Sequence, residues 1–518
     1  MKTLYEYILT ATKNYKNSTA LVQNSKHISY KNLLQKIILI SDQLILEGLH
    51  KGDKIIINLK NPLNQFIASI AVIRAGGVAV PIGQKTDSSD WDLIIKNVDP
   101  FTIITDPRSS DINQIKQFNF PHSIFYWSEE LFKHIEDSDY IENIEHFENE
   151  SAQKITRLIQ PEISDLVFIH YASETKKLIA FNHIGIIYPS LLLNQILSVN
   201  PSHRELITYS PSHILGFIRI IQNLIAGATS FLIQDIEDKL NIPAYIMKHK
   251  CNTLFTDIEL FNYLCSNFKS LTMEALKNFI ILQLSGDNIY SIDELVKQGL
   301  SDLQMTKVYL SYSPLEAPLT TIVNIKDVDP ENLCMGLPLP GIKLKIQKQS
   351  NVDNPNVGIL CINGNNTMEG YFKDGNIDKS NFSADNWLIT NQYAMLDEKG
   401  KLYLKGTKED VMFINKDIIS LQEINALIGN ILSELNCEYY LTFKENIYEP
   451  ENKVPILFYA TGYAETIEPE KIYEKISSLE IDWLKNLLIF KVKEIPKSGN
   501  KVIKNELFKQ IDNKDPDL

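Results

Sequence analysis

Cysteine is scarce in this chain and poorly spaced: Cys251, Cys265, Cys334, Cys361 and Cys437, an odd number with no CxxC pair. That excludes a disulfide framework and a cysteine-ligated zinc site, and it fits buried thiols in a reducing compartment. There is no excess of positive charge either. The net charge is −13, which argues against nucleic acid or an anionic membrane as the main partner. Long apolar runs are also missing. The most apolar long window, 184–197, carries Pro189 and Asn194 and falls short of the ~20 apolar residues that a bilayer-spanning helix needs. The first residues, MKTLYEYILTATKNYKN, hold charges and tyrosines where a leader peptide has an unbroken apolar core. A soluble cytoplasmic protein is expected. One further absence is local: no glycine lies between Tyr171 and Gly185. Without glycine a backbone cannot easily take positive φ or approach a bulky anion closely.

What is present is ordinary for a globular chain, 44% apolar and 22% charged, and 518 residues exceed what one core usually organises. Early in the chain Leu34, Ile37, Ile38, Leu44 and Ile45 form a helical stripe that Gly48 ends. KIIINL then reads as a strand, NPLNQFIASIAVIRAGG as a helix opened by proline and closed by glycine, and GVAVPI as another strand. Strands alternating with helices of this length predict a parallel sheet covered on both faces. From about Asn354 the texture changes to short strands and turns, including a hairpin around Lys399 and Gly400. The expected fold class is therefore α/β. A large N-terminal domain of layered sheets (1–406) precedes a small C-terminal α/β domain (407–518), with the boundary near Gly406 to Asp410.

The glycine-free stretch follows LVFIHY, an apolar run ending in small hydroxyl residues, Ser173 and Thr175. A strand feeding such a turn is how proteins present backbone N–H groups to phosphate. Lys176 and Lys177 follow at once.

In order and at similar spacings, a series of motifs resembles the adenylate-forming superfamily: acyl- and aryl-CoA synthetases, the adenylation domains of peptide synthetases, and luciferases. LVQNSKHISYKNLL, LHKGDKIIINLKNP and AVIRAGGVAVPI look like its opening. YSPSHILG is similar to its P-x-x-H-x-x-G stretch, LSYSPLEA to its Y-G-x-T-E, and MGLPLPG to its G-x-P-x-P-G. GYF, NWLITNQ, LYLKGTKED, SLQEIN and EIPKSGNKVIKNEL follow. The resemblance implies that a carboxylic acid attacks the α-phosphate of Mg-ATP to give an acyl-adenylate. The C-terminal domain then rotates, and a thiol of CoA or of a carrier protein's phosphopantetheine displaces AMP.

It also implies roles for single residues. Lys501 matches the lysine that bridges acid and α-phosphate, in a frame one residue short. Glu316 matches the glutamate that supports Mg²⁺, with Tyr312 kept but Ser313 and Leu315 standing where glycine and threonine are usual. Thr175 is the candidate second metal-side group, and Ser173, Thr175, Lys176 and Lys177 form the candidate phosphate loop. Gly286 and Asp287 match the turn lining the acid and adenine pockets. His213 matches the gate between acid and nucleotide, although a core histidine satisfied by a backbone group reads the same way.

The departures fall on the nucleotide side. Tyr171 to His183 is shorter than the family's span and lacks its glycines. Gln392 replaces the ribose-chelating aspartate, Thr407 replaces the hinge arginine beside Glu409, and Asn415 replaces a glycine of a loop that moves. A charge-assisted hydrogen bond contributes about 1.5–3 kcal/mol, so losing two weakens nucleotide binding by roughly two to four decades. Three readings follow. The leading one is a divergent ATP-dependent acid–thiol ligase with a phosphate loop rebuilt on the lysines. A second is a relative that no longer adenylates and binds a carrier protein or acyl-thioester as a scaffold. A third is an ATP-free enzyme acting on acyl-thioesters with His213 as acid/base.

Overall fold

A computed structural model of the chain describes residues 1–83, 86–107, 109, 111–118, 124–128, 161–233, 241–286, 306–328, 334–349, 352–414, 416–435, 437–445, 453–461, 467–479, 481, 484, 486–498 and 501–511. The early alternation folds as its periodicity implies. The strand Lys54–Asn58 buries Ile55, Ile56 and Ile57 completely. The helix Pro62–Arg74 starts with proline at its first turn and with the Asn61 side chain accepting the Asn64 N–H at 3.1 Å. It returns the chain to Val78–Pro81, parallel to the first strand with Ile55 opposite Ala79.

These strands belong to an eight-stranded sheet among the described residues. Its order runs Asn376–Asp378, Gly370–Lys373, Lys177–Asn182, Leu166–Ala172, Val78–Pro81, Lys54–Asn58, Thr102–Thr105 and Phe125–Tyr126. A second sheet has thirteen described strands. Its parallel part includes Thr229–Leu232, Arg204–Ile207, Thr253–Asp257, Ile281–Ser285 and Lys307–Tyr312. Beyond Lys307–Tyr312 its pairings turn antiparallel, through Thr321–Asn324, Cys334–Pro338, Leu402–Thr407, Leu388–Leu396, Val357–Asn363 and Lys343–Lys348. The early strands pair in parallel as their alternation with helices implies, within two layered sheets that each also contain antiparallel pairs. Parallel pairing needs a crossover of about a dozen residues or more, and the connections from Tyr312 to Thr321 and from Lys348 to Val357 are shorter than that.

One continuous core draws on both sheets and on the helices Pro62–Arg74 and Ile214–Ala226. Phe217 ties them together, with ring centroids 5.5 Å from Phe66 and 4.5 Å from Phe168. Each such ring, fully buried, contributes about 1.5–3 kcal/mol by leaving water. After Val411 the described strands pair only with one another, in two- and three-stranded sheets. There Ile424, Ile428, Leu432, Leu457, Tyr459 and Ile472 form a separate core. All five cysteines are buried and free. Among the described residues no helix is long and apolar enough to cross a membrane.

Candidate active site

The glycine-free segment is a tight hairpin. Leu166–Ala172 pairs antiparallel with Lys177–Asn182, the last register pair being Ala172 with Lys177. That leaves a four-residue turn, Ser173 to Lys176, which closes with Lys176 at φ +54°. Such short loops are built around one β-turn and a left-handed residue. The turn parts the two lysines. Lys176 Nζ lies 2.9 Å from Asp90 Oδ1, on the helix Ser88–Val98, and so anchors the hairpin to that helix. Burial works to raise the Asp90 pKa, but the Lys176 hydrogen bond and charge outweigh it and hold the carboxyl below the usual range.

Lys177 goes the other way. Its Nζ donates to the Tyr371 hydroxyl at 3.2 Å and lies 4.4 Å from that ring's centroid. The Tyr371 hydroxyl in turn donates to Glu316 Oε1 at 2.8 Å. Burial, and then the Glu316 charge, push the Tyr371 phenol above its ordinary pKa. Sheet register explains the meeting: Gly370–Lys373 pairs antiparallel with Lys177–Asn182, Tyr371 opposite Ile179. Lys177 is two residues from Ile179 and therefore on the same face, within diagonal reach of Tyr371.

These groups wall a cleft of about 230 Å³. Thr175 and Lys177 come from the hairpin, and Ser285 and Gly286 from the end of Ile281–Ser285. Tyr312, Ser313 and Glu316 follow the strand Lys307–Tyr312, while Thr390, Asn391 and Gln392 come from Leu388–Leu396. Gln392 is buried, and its N–H donates to Thr390 Oγ1 at 3.1 Å. Ser313 Oγ is buried with no hydrogen-bond partner among the described residues. The cleft thus offers one ammonium, several hydroxyls, the amides of Asn381, Asn391 and Gln392, and one carboxylate. That set suits a phosphorylated, hydroxyl-bearing ligand, and the orphaned Ser313 oxygen fits the same use. A Mg²⁺ carried in on phosphates needs one or two protein carboxylates, which Glu316 can supply, with Thr175 as a hydroxyl neighbour.

Not every expected residue reaches the cleft. Ser173 is exposed on the turn and Lys176 is held by Asp90. His213 caps the helix Ile214–Ala226, its Nδ1 accepting the Leu215 N–H at 3.2 Å. It stacks on Tyr209 at 5.0 Å and meets His170 edge-on at 4.9 Å. Burial first, and His170 second, hold its pKa well below the ordinary histidine value. With Nδ1 accepting, the neutral ring carries its proton on Nε2 and is a donor, not a base. Lys501 lies in the strand Lys501–Val502, its backbone paired with Ser498. Glu409 is exposed in the turn between Leu402–Thr407 and Val411–Ile414, where Thr407 Oγ1 donates to Asp410 Oδ2 at 2.6 Å. Asp287 and Asn415 lie outside the described residues. Sequence reasoning missed Tyr371 and His170. His170 sits one residue before Tyr171 on a strand whose apolar pattern masks it, and Tyr371, although part of the GYF motif, lies 194 residues from Lys177, so nothing in the sequence pairs the two.

The fold is shared with ATP-bound MatB from Rhodopseudomonas palustris, at a TM-score of 0.78 and 17% identity, over 100% of this chain and 99% of that one. The chain is 22% identical to a long-chain-fatty-acid–CoA ligase of Bacillus subtilis over 451 residues, 79% of this chain and 78% of that protein. It is also 22% identical to gramicidin S synthase 1 of Brevibacillus brevis over 452 residues, 82% of this chain but 37% of that longer protein. The model of the AMP-binding enzyme family matches residues 9–372. With that match spanning most of its length, the chain belongs to the AMP-binding enzyme family.

Proposed function

We propose that this protein is an acid–thiol ligase that activates a carboxylic acid as its acyl-adenylate and passes the acyl group to a thiol, that of CoA or of carrier-protein phosphopantetheine. The observation that carries this reading is the convergence of Thr175, Lys177, Gly286, Tyr312, Glu316 and Gln392, from four separate stretches of chain, on one cleft. Lys177 would set a fixed positive charge against the nucleotide phosphates, where a longer loop would use backbone N–H groups. Gln392 and Asn391 would hydrogen-bond the ribose hydroxyls, and Glu316 would receive the nucleotide's Mg²⁺, whose role is to neutralise phosphate charge. Lys501, on a C-terminal domain beginning at about residue 407 and turning on the hinge at Glu409, would bridge the acid and the α-phosphate. His213, neutral and donating, would serve as a wall of the acid pocket.

The four-residue turn pinned by Lys176 and Asp90 favours a second reading, a relative that keeps the acyl and thiol-partner surfaces without adenylating. Titration calorimetry with Mg-ATP on the wild type and on Lys501→Ala separates the two. Saturable binding at or below about 100 μM, roughly −5.5 kcal/mol, is expected for the ligase, with acid-dependent ATP–pyrophosphate exchange that Lys501→Ala abolishes. Absence of heat at millimolar ATP would overturn it in favour of the non-adenylating relative.

A further inference from the structure

We infer that Tyr371 is a positioning residue of the cleft: its hydroxyl stands between the Lys177 ammonium and the Glu316 carboxylate and holds both in place while keeping them from neutralising each other. The inference rests on the reading of the cleft as a nucleotide site.

Lys177 is an exposed residue at the end of a hairpin, on a flexible four-carbon stem. Left alone, such a side chain spreads over many rotamers. Here two contacts confine it, the ring face at 4.4 Å and the hydroxyl at 3.2 Å. A phenol has one hydrogen to donate, and Tyr371 gives it to Glu316 Oε1 at 2.8 Å. Donation to a carboxylate polarises the phenolic oxygen, which makes it a better acceptor for the ammonium. The three groups form one directed chain from cation to phenol to anion. Had lysine and glutamate met directly, the pair would have closed on itself and the cleft would have lost both charges to an arriving ligand. With the phenol interposed, the second Glu316 oxygen and the remaining ammonium hydrogens stay available for phosphate and for a phosphate-borne cation.

Tyr371→Phe keeps the ring under Lys177 and removes only the hydroxyl, and Tyr371→Leu removes both. An unchanged melting temperature without ligand verifies that each variant folds. Calorimetric titration with ATP, with and without Mg²⁺, is the test. Tyr371→Phe is expected to weaken Mg-ATP binding about tenfold, the scale of one hydrogen bond to a charged group. It is also expected to shrink the Mg²⁺ enhancement seen in the wild type to less than about twofold, because Glu316 loses its orientation. Tyr371→Leu weakens binding further. On a Lys177→Met background, Tyr371→Phe should change Mg-free ATP affinity by less than about twofold, since the lysine through which it acts is gone. A merely structural tyrosine would not show that loss of coupling. Wild-type affinity and wild-type Mg²⁺ dependence in Tyr371→Phe would overturn the inference and leave the proposed function standing. A wild type that binds no nucleotide would overturn both.

Discussion

Two neighbouring lysines show how little adjacency says about use. Lys176 takes the left-handed turn position and points to Asp90, whereas Lys177 begins the returning strand and faces the cleft. Lys177→Met is therefore expected to weaken Mg-ATP binding about tenfold or more. Lys176→Met should leave that affinity within about twofold, because Lys176 reaches Asp90 and does not line the cleft; calorimetry on the two variants checks the contrast. The histidines give a pH prediction. Burial pushes the His170 pKa down to about 4, despite the hydrogen bond between its Nδ1 and the Ser212 carbonyl at 3.0 Å. In the unfolded chain it titrates near 6.5, so below that pH the unfolded state binds more protons than the folded one. Stability from the neutral ring is full above about pH 6.5 and is lost as pH falls towards about 4. Urea midpoints measured at pH 8, 6 and 5 should fall in that order, less steeply in His170→Gln.

The elements around the site depend on close backbone approach. A Cβ on Gly216, in the first turn of Ile214–Ala226, would stand 2.3 Å from the Ser210 carbonyl oxygen and 2.6 Å from that of Tyr209. This is why the helix that His213 caps can begin so tightly against the loop before it. Gly216→Ala must push backbone from backbone and is expected to destabilise the protein by about 1–3 kcal/mol or more. Differential scanning calorimetry should show the midpoint lowered by several degrees, and an unchanged midpoint would contradict the contact.

The strands Val357–Asn363 and Leu388–Leu396 meet the strands from Val411 onward in a small apolar cluster of Val357, Tyr393, Val411 and Ile418, with the Tyr393 and Phe413 rings 5.7 Å apart. Lys405 pairs with Glu423, and Lys416 Nζ lies 3.0 Å from Asp353 Oδ1 while the Asp353 N–H donates to the Lys416 carbonyl at 3.1 Å. Between these contacts Lys408 and Glu409 are exposed. We propose that the chain turns on a hinge at Glu409 and that the Lys405–Glu423 pair restrains it. Half-exposed ion pairs contribute up to about 1 kcal/mol, so Glu423→Gln is expected to speed limited tryptic cleavage after Lys408 by up to about fivefold. The global melting temperature should hardly move.

The sequence by itself determined the local pattern: which runs become strands, where Pro62 starts a helix and Gly400 turns a hairpin, and that the cysteines are interior. These follow from side-chain period, proline's missing N–H and glycine's freedom at φ +79°. Several candidate residues were equally legible, since Thr175, Lys177, Gly286, Tyr312, Glu316 and Gln392 do line one cleft. Only the tertiary structure decided that the sheets are mixed, that Lys176 belongs to Asp90, and that Tyr371 stands between Lys177 and Glu316. Those outcomes depend on which strands lie side by side and in what register. Register is settled by burial of both sheets on a shared core, a property of the whole chain that no short stretch of it encodes.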